Sequence, residues 1–120
     1  MVDFPNQLAI LDRAIALSRV GGDSELLQEM AQIFLEECPS QMEAVRDAVA
    51  ARDPKAVERS AHSLKGSVGN FGATMAHQAA LDLEMLGRNG RLEGVDTALC
   101  NLECAITQLR PEMENLAQSV

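Results

Sequence analysis

Residues 57–73 read VERSAHSLKGSVGNFGA, a stretch that combines a helical pattern with glycines close to a histidine. Apolar residues recur every three or four positions, as one buried helix face requires; they are Val57, Ala61, Leu64, Val68 and Phe71. Glycine inside a helix costs about 0.5 to 1 kcal/mol relative to alanine. Gly66 and Gly69 therefore weaken a helix that is otherwise well patterned, which suggests that their missing side chains serve a purpose.

The outward face of this helix follows from a rotation of about 100° per residue. His62 lies about 140° from the centre of the apolar stripe, so we expect it to face solvent. Glu58, Lys65, Gly66 and Gly69 share its strip of the surface. Most exposed histidines are simply solvated, but a cation and two glycines beside this one favour a functional site. The glycines would let the backbone of another protein approach the imidazole.

The rest of the chain is also patterned for helices. Period-two alternation is absent, and aromatic residues are limited to three Phe. The predicted segments are an N-terminal helix at about 6–19 and bundle helices at about 24–37, 40–52, 54–70, 73–88 and 93–118. Long helices joined by short turns predict an all-α fold, an up-down-up-down four-helix bundle with an additional short N-terminal helix. We expect a single domain over 1–120.

Local signals set these boundaries. The first helix should end at Gly21 and Gly22, a corner is expected at Pro39, and Asp53 with Pro54 should open the helix that carries the histidine. The second helix is predicted to bury Leu26, Met30, Ile33 and Phe34. The last helix has the most regular apolar seam, at Val95, Leu99, Leu102, Ile106, Leu109, Met113 and Leu116.

Composition excludes several function classes. The formal net charge of −8 would repel phosphate backbones and anionic lipid headgroups, so we expect neither nucleic-acid binding nor membrane insertion. The sequence contains no apolar run long enough for a membrane span and no signal-peptide pattern at its start. Its three cysteines lack a CxxC pair, which suits reduced thiols. These features predict a cytoplasmic location and no metal site.

The stretch AHSLKGSVGNFGA resembles the signature of the histidine-containing phosphotransfer (HPt) domain, roughly A-H-x-L-K-G-x-x-x-x-x-G. The segments LDRAIALSRVGGDSELLQEMAQIFLEECP and LDLEMLGRNG are similar to other helices of that family. The resemblance implies a four-helix bundle whose exposed histidine takes a phosphoryl group from one receiver domain and gives it to another. By match to the motif, His62 would be phosphorylated, Lys65 would be the neighbouring cation, and Gly66 the small neighbour. Glu84 stands where the family often carries Gln or Glu near the imidazole.

Elementary chemistry is consistent with these roles. A neutral imidazole attacks through one nitrogen, and Glu84 would fix the tautomer by accepting the proton of the other. Lys65 would neutralise charge on the transferring phosphoryl oxygens. Glu58, Gly66 and Gly69 would form the surface on which a partner docks. The expected result is a phosphohistidine carrier without ATP-dependent kinase activity of its own.

The resemblance also defines the expected partners. They are receiver domains of response regulators, a hybrid histidine kinase, or both. Mg²⁺ is expected on the receiver domain, because this chain has no carboxylate cluster with suitable spacing, and no cofactor is expected on the chain itself. We expect a monomer.

Three other functions remain open at this stage. One is the dimerising hairpin of a sensor kinase, which is disfavoured because Ser63 follows the histidine and ATP-binding glycine boxes are absent. Another is the phosphotransfer domain of a chemotaxis-type kinase, which is disfavoured by Leu81, where a second histidine is expected. The third is a non-catalytic helical adaptor that uses the glycine strip only for binding.

Overall fold

The computed structural model describes residues 8–118. It contains five helices: α1 (Arg13–Arg19), α2 (Ser24–Ala50), α3 (Pro54–Gly69), α4 (Thr74–Arg88) and α5 (Val95–Gln118). Every regular element within this range is a helix, which confirms the predicted all-α class. Positions 6 and 7 of the predicted N-terminal helix lie outside the described residues.

Helices α2 to α5 form the bundle. Their short connections make successive helices antiparallel, and α5 packs against both α2 and α4, which closes the ring of four. The stripe predicted for α3 is entirely buried, and of the seven seam positions predicted for α5 only Leu99 is merely half-buried. The predicted four-helix bundle is therefore correct.

The predicted break at Pro39 was wrong, because α2 runs without interruption through the predicted helices 24–37 and 40–52. Apolar positions on both sides of the proline stay in phase and are buried: Leu27, Ala31, Phe34, Cys38, Met42, Val45 and Val49. Packing of this continuous stripe outweighs the loss of one backbone donor at the proline. Ser40 Oγ donates to the carbonyl oxygen of Glu37, 3.1 Å away, instead of capping a new helix.

The inward face predicted for the first half of α2 was also partly wrong. Phe34 is buried, but Leu26 is 42% exposed and Ile33 is 51% exposed. The residues that pack inward here are Leu27 and Ala31. Several apolar residues on neighbouring positions make two helix faces look alike in sequence, and only contact with the other helices distinguishes them.

Helix α1 is shorter than the predicted 6–19 because the chain before it is held by other hydrogen bonds. The backbone N–H of Asp12 donates to the carbonyl of Phe71 at 3.1 Å, and the N–H of Met75 donates to the carbonyl of Ala9 at 3.0 Å. These backbone groups are therefore engaged with the connection between α3 and α4. The segment before α1 is thereby attached to one end of the bundle.

Gly87 lets α4 approach α3. A Cβ at this position would lie 2.6 Å from the backbone N of Glu58 and 2.6 Å from the carbonyl oxygen of Pro54, closer than real Cβ atoms come. Glu84 lies one turn earlier on α4. The close approach permitted by Gly87 therefore helps to bring Glu84 under the helix that carries His62.

We predict that Gly87→Ala lowers the free energy of unfolding by about 1 to 3 kcal/mol, because the new methyl group overpacks the contact between α3 and α4. Gly66→Ala is the matched control, since no described atom lies within 4 Å of the Cβ that it would add. That variant should be more stable than the wild type by up to about 1 kcal/mol. Urea unfolding followed by circular dichroism measures both changes. A Gly87→Ala variant as stable as the wild type would contradict the interpretation.

Candidate functional site

Glu84 is the centre of a charged cluster between α3 and α4. Its side chain is 1% exposed, and three basic groups surround its carboxylate. His62 Nδ1 lies 2.9 Å from Glu84 Oε2, and Lys65 Nζ lies 2.7 Å from Glu84 Oε1. Arg88 Nη2 lies 2.7 Å from Oε2. Both oxygens of this buried carboxylate are thus matched by basic groups, as burial of a charge requires.

The cluster fixes the charge of Glu84. Burial by itself raises the pKa of Glu84. Hydrogen bonds from Lys65 and His62, together with their charges, lower the pKa by more than burial raises it, so that it falls below its usual value. Glu84 is therefore a carboxylate at neutral pH and only accepts hydrogen bonds.

The state of Glu84 determines which nitrogen of His62 carries the proton. In a neutral imidazole, Nδ1 must donate its proton to the carboxylate, which leaves Nε2 with a lone pair. The side chain of His62 is 65% exposed, as the helical pattern predicted. The structure thus combines a solvent-facing nucleophilic nitrogen with a buried group that orients the ring.

Arg88 belongs to the site although the sequence analysis missed it. It contacts Glu84 and also donates from Nε to Oε2 of Glu58, at 3.0 Å. Glu58 is therefore paired within the chain, which links it to Glu84 through one guanidinium. The spacing of Glu84 and Arg88, four residues apart on one helix, is the sequence signal that predicts such a pair.

The three glycines of the opening stretch have different environments. Gly66 is exposed, and no described atom would touch a Cβ there within 4 Å. Gly69 is half-buried, and a Cβ there would lie 3.4 Å from Cδ2 of the His77 ring. Gly72 has a φ of +63°, and its Cβ would lie 2.7 Å from Asp12 Cβ. Gly66 thus leaves the surface beside His62 clear, whereas Gly72 is required by the turn and by the segment before α1. The docking role predicted for Gly66 and Gly69 stays a prediction.

The cluster offers little to a metal ion. Within residues 8–118, no group of three or more His, Cys, Asp or Glu side chains is placed to hold one. The oxygens of Glu84 already face Lys65 and Arg88, whose charges would repel a cation.

Comparison with models of protein families identifies the family of this chain. The family model described as "Hpt domain" matches residues 29–119. The chain belongs to the Hpt domain family. This membership confirms the resemblance seen in the sequence and the predicted function class, histidine phosphotransfer in a phosphorelay.

Curated relatives of this Hpt chain are much longer proteins. It is 28% identical over 113 residues to the signal transduction histidine-protein kinase BarA of Shigella flexneri, and 27% identical to BarA of Escherichia coli strain K12. Each alignment covers 94% of this chain and 12% of the relative. The chain therefore spans about an eighth of the length of these kinases.

Solved structures share the Hpt fold. Histidine-containing phosphotransfer protein B of Pseudomonas aeruginosa PAO1 superposes with a TM-score of 0.83 at 21% identity, over 95% of this chain and 97% of that one. The HPT domain of a sensor hybrid histidine kinase from Shewanella gives the same TM-score at 17% identity, over 95% and 98% of the two chains. At such identities the likeness concerns the fold.

We predict that Glu84→Gln lowers the free energy of unfolding by about 1 to 3 kcal/mol at pH 7, because the buried carboxylate loses its charge-assisted contacts. The folded pKa lies below the unfolded value, so this contribution is complete above the unfolded pKa of about 4.3 and is lost as the pH falls through the folded pKa. The difference between wild type and variant should therefore shrink below about pH 4. Denaturant titrations across this range measure it.

The matched control for this prediction is Glu114→Gln, which makes the same chemical change at an exposed position of α5. It should alter stability by less than about 0.5 kcal/mol at pH 7. A Glu84→Gln difference that stayed constant from pH 7 to pH 3 would show that the carboxylate is not the source of the stabilisation.

We also predict that Glu84 sets the tautomer of His62. Nitrogen NMR of the wild type at a pH where the ring is neutral should show the proton on Nδ1. Glu84→Ala removes the acceptor, so the Nε2–H form should become populated, whereas Glu84→Gln keeps an acceptor oxygen and should retain the Nδ1–H form. The signals of His77 in the same spectra serve as an internal control. Identical His62 signals in all three proteins would exclude this role.

Proposed function

We propose that His62 accepts a phosphoryl group on Nε2 from an aspartyl phosphate of a receiver domain and passes it to an aspartate of a second receiver domain. The observation that carries this proposal is the 2.9 Å contact between His62 Nδ1 and the buried Glu84 carboxylate, beneath an exposed ring. Membership of the Hpt domain family supports the same chemistry.

The proposed transfer is a displacement at phosphorus. The Nε2 lone pair of neutral His62 forms the N–P bond while the P–O bond to the receiver's aspartate breaks, and the electron pair of that bond leaves on the aspartate carboxylate. The ring keeps its Nδ1 proton and gains positive charge, which the carboxylate of Glu84 offsets at 2.9 Å. Transfer to the second receiver reverses these bond changes, and the electron pair returns to Nε2.

Lys65 is proposed to assist this step from the edge of the cluster. In the structure its Nζ is bound to Glu84 at 2.7 Å and its side chain is 22% exposed. Lys65 therefore forms an ion pair with the Glu84 carboxylate in the unphosphorylated protein. The incoming phosphoryl group would compete with Glu84 for this cation, and the resulting contact would neutralise charge on the phosphoryl oxygens. Mg²⁺ is proposed to be supplied by the receiver domain.

The surface on which the receiver domain docks is also part of the proposal. Gly66, Gly69 and Glu58 would contact the receiver domain, with Glu58 held in place by Arg88.

All three cysteines are free thiols, including the buried Cys38, which is consistent with a reducing cytoplasm. Within the described part of the chain, no helix is sufficiently long and apolar to cross a membrane. We propose a monomer that works beside, or as part of, a hybrid histidine kinase.

A chemotaxis-type kinase domain and a non-catalytic adaptor are the competing functions. An adaptor would need the open surface at Gly66, but it has no use for a buried carboxylate aligned with one nitrogen of an exposed histidine. The geometry at Glu84 therefore favours chemistry over binding alone. The source of the phosphoryl group distinguishes the remaining two functions, because a chemotaxis-type domain is phosphorylated by an ATP-binding kinase domain.

We predict that a receiver domain phosphorylated with acetyl phosphate transfers its phosphoryl group, which serves as the label, to the wild-type chain and not to His62→Gln. The label should be acid-labile and base-stable. Trypsin cleavage after Lys65 separates His62 from His77, so mass spectrometry of the peptides identifies the modified ring. The exposed position of His62 should keep the stability of the variant within about 0.5 kcal/mol of the wild type. Label on the His77 peptide, or labelling of a folded His62→Gln variant, would refute the assignment.

A further inference from the structure

A pocket of about 360 Å³ opens beside the helix that carries His62. It lies between α1, the second half of α3 and the start of α4, and we call it the α1 pocket. The side chains and glycines that matter for its chemistry are Ile15, Arg19, Lys65, Gly66, Gly69 and His77.

The α1 wall of this pocket is firmly attached. The N–H of Asp12 donates to the carbonyl of Phe71 in the connection between α3 and α4, and the carbonyl of Ala9 accepts from the N–H of Met75 at the start of α4. The N–H of Ala9 also donates to Thr74 Oγ1 at 2.7 Å. A Cβ on Gly72 would lie 3.1 Å from Ile15 Cβ, so the base of α1 packs directly against that connection. Helix α1 also lies outside residues 29–119, which match the family model. It supplies one wall of the pocket.

The charge of the α1 pocket is opposite to that of the whole chain. The protein carries a formal net charge of −8, yet the described residues that line the pocket include two cations, Arg19 and Lys65, and no carboxylate. Lys65 is shared with Glu84. Ile15 adds an apolar side chain that is 38% exposed. This lining suits an acidic side chain with an apolar neighbour. A second copy of so acidic a chain is a poor occupant, because the two copies would repel each other.

The pocket is close enough to His62 to be covered by any receiver that reaches Nε2. At a rise of 1.5 Å per residue, Gly66 and Gly69 lie about 6 and 10 Å along α3 from His62. A standard interface buries about 800 Å² on each partner, equivalent to a circle about 16 Å in radius. Gly66 and Lys65 belong to both the pocket and the surroundings of His62.

We infer that the α1 pocket selects among receiver domains by accepting an acidic side chain and its apolar neighbour from the receiver surface. This inference rests on the proposed function. Arg19 and Ile15 act in recognition, and the bond changes at His62 remain with the cluster around Glu84. Loss of a pocket residue should therefore weaken docking more than it slows transfer within the complex.

The test compares Arg19→Glu with Arg13→Glu. Both residues are exposed on α1 and both changes alter the charge by the same amount, but only Arg19 lines the pocket. Receiver domains encoded in the same genome are phosphorylated one by one with acetyl phosphate, and the one that labels the wild type fastest is used. Single-turnover transfer is then measured over a range of receiver concentrations.

We expect Arg19→Glu to raise the receiver concentration needed for half-maximal rate at least fivefold, while the rate at saturation changes less than twofold. Arg13→Glu should match the wild type in both quantities. Ile15→Ala, with circular dichroism to verify folding, should show the same pattern as Arg19→Glu with a smaller effect. Changing the acidic residue of the receiver to Lys should restore binding to Arg19→Glu, which would identify the occupant.

Other outcomes would overturn the inference. If wild type and folded Arg19→Glu need the same receiver concentration for half-maximal rate, receivers do not use the pocket. That result would leave the proposed transfer to His62 unaffected. Dimerisation of the wild type in sedimentation, lost in Arg19→Glu, would make a second copy the occupant. Failure of every receiver to label or bind the wild type would refute the proposed function and, with it, this inference.

Discussion

The site depends on one constraint, the burial of a carboxylate that must keep its charge. Glu84 is 1% exposed and ionised, so its oxygens need basic partners within hydrogen-bonding distance. Lys65 and His62 supply them from α3, and Arg88 supplies another from α4 itself. This requirement places the two helices in a definite register, and Gly87 makes the distance between them short enough. The orientation of the imidazole is a consequence of satisfying the buried charge.

The same arrangement explains why the surface above the cluster is open. Glu84, which orients the His62 ring and can offset a positive charge on it, lies beneath the ring. No further group has to contact Nε2 from the solvent side to orient the ring. Gly66 keeps that side clear, and the wall built by α1 borders it at a distance of only a few helical turns. A shallow site of this kind contains the nucleophile and the group that orients it. In the proposed function, the phosphoryl donor and Mg²⁺ belong to the receiver domain.

Two prolines show how tertiary packing overrides local signals. Pro54 opens α3 at a position where a proline costs nothing, with Asp53 as the cap, and the sequence predicted this correctly. Pro39 carries a similar local signal, but α2 continues through it because apolar residues on both sides remain in phase with the core. The error in the exposed positions Leu26 and Ile33 has a related origin. In both cases the contacts that decide the outcome come from other helices.

The sequence by itself determined the helical class, the buried stripe of α3, the seam of α5 and the outward placement of His62, because these follow from periodicity and capping within one segment. It also indicated Glu84 through the family resemblance. Only the tertiary structure decided that Lys65 and Arg88 share the carboxylate of Glu84, that Glu58 pairs with Arg88, and that Gly69 faces His77. These contacts join residues from different helices, or choose one of several possible partners. They are fixed by the register and spacing of packed helices, which no single segment of sequence contains.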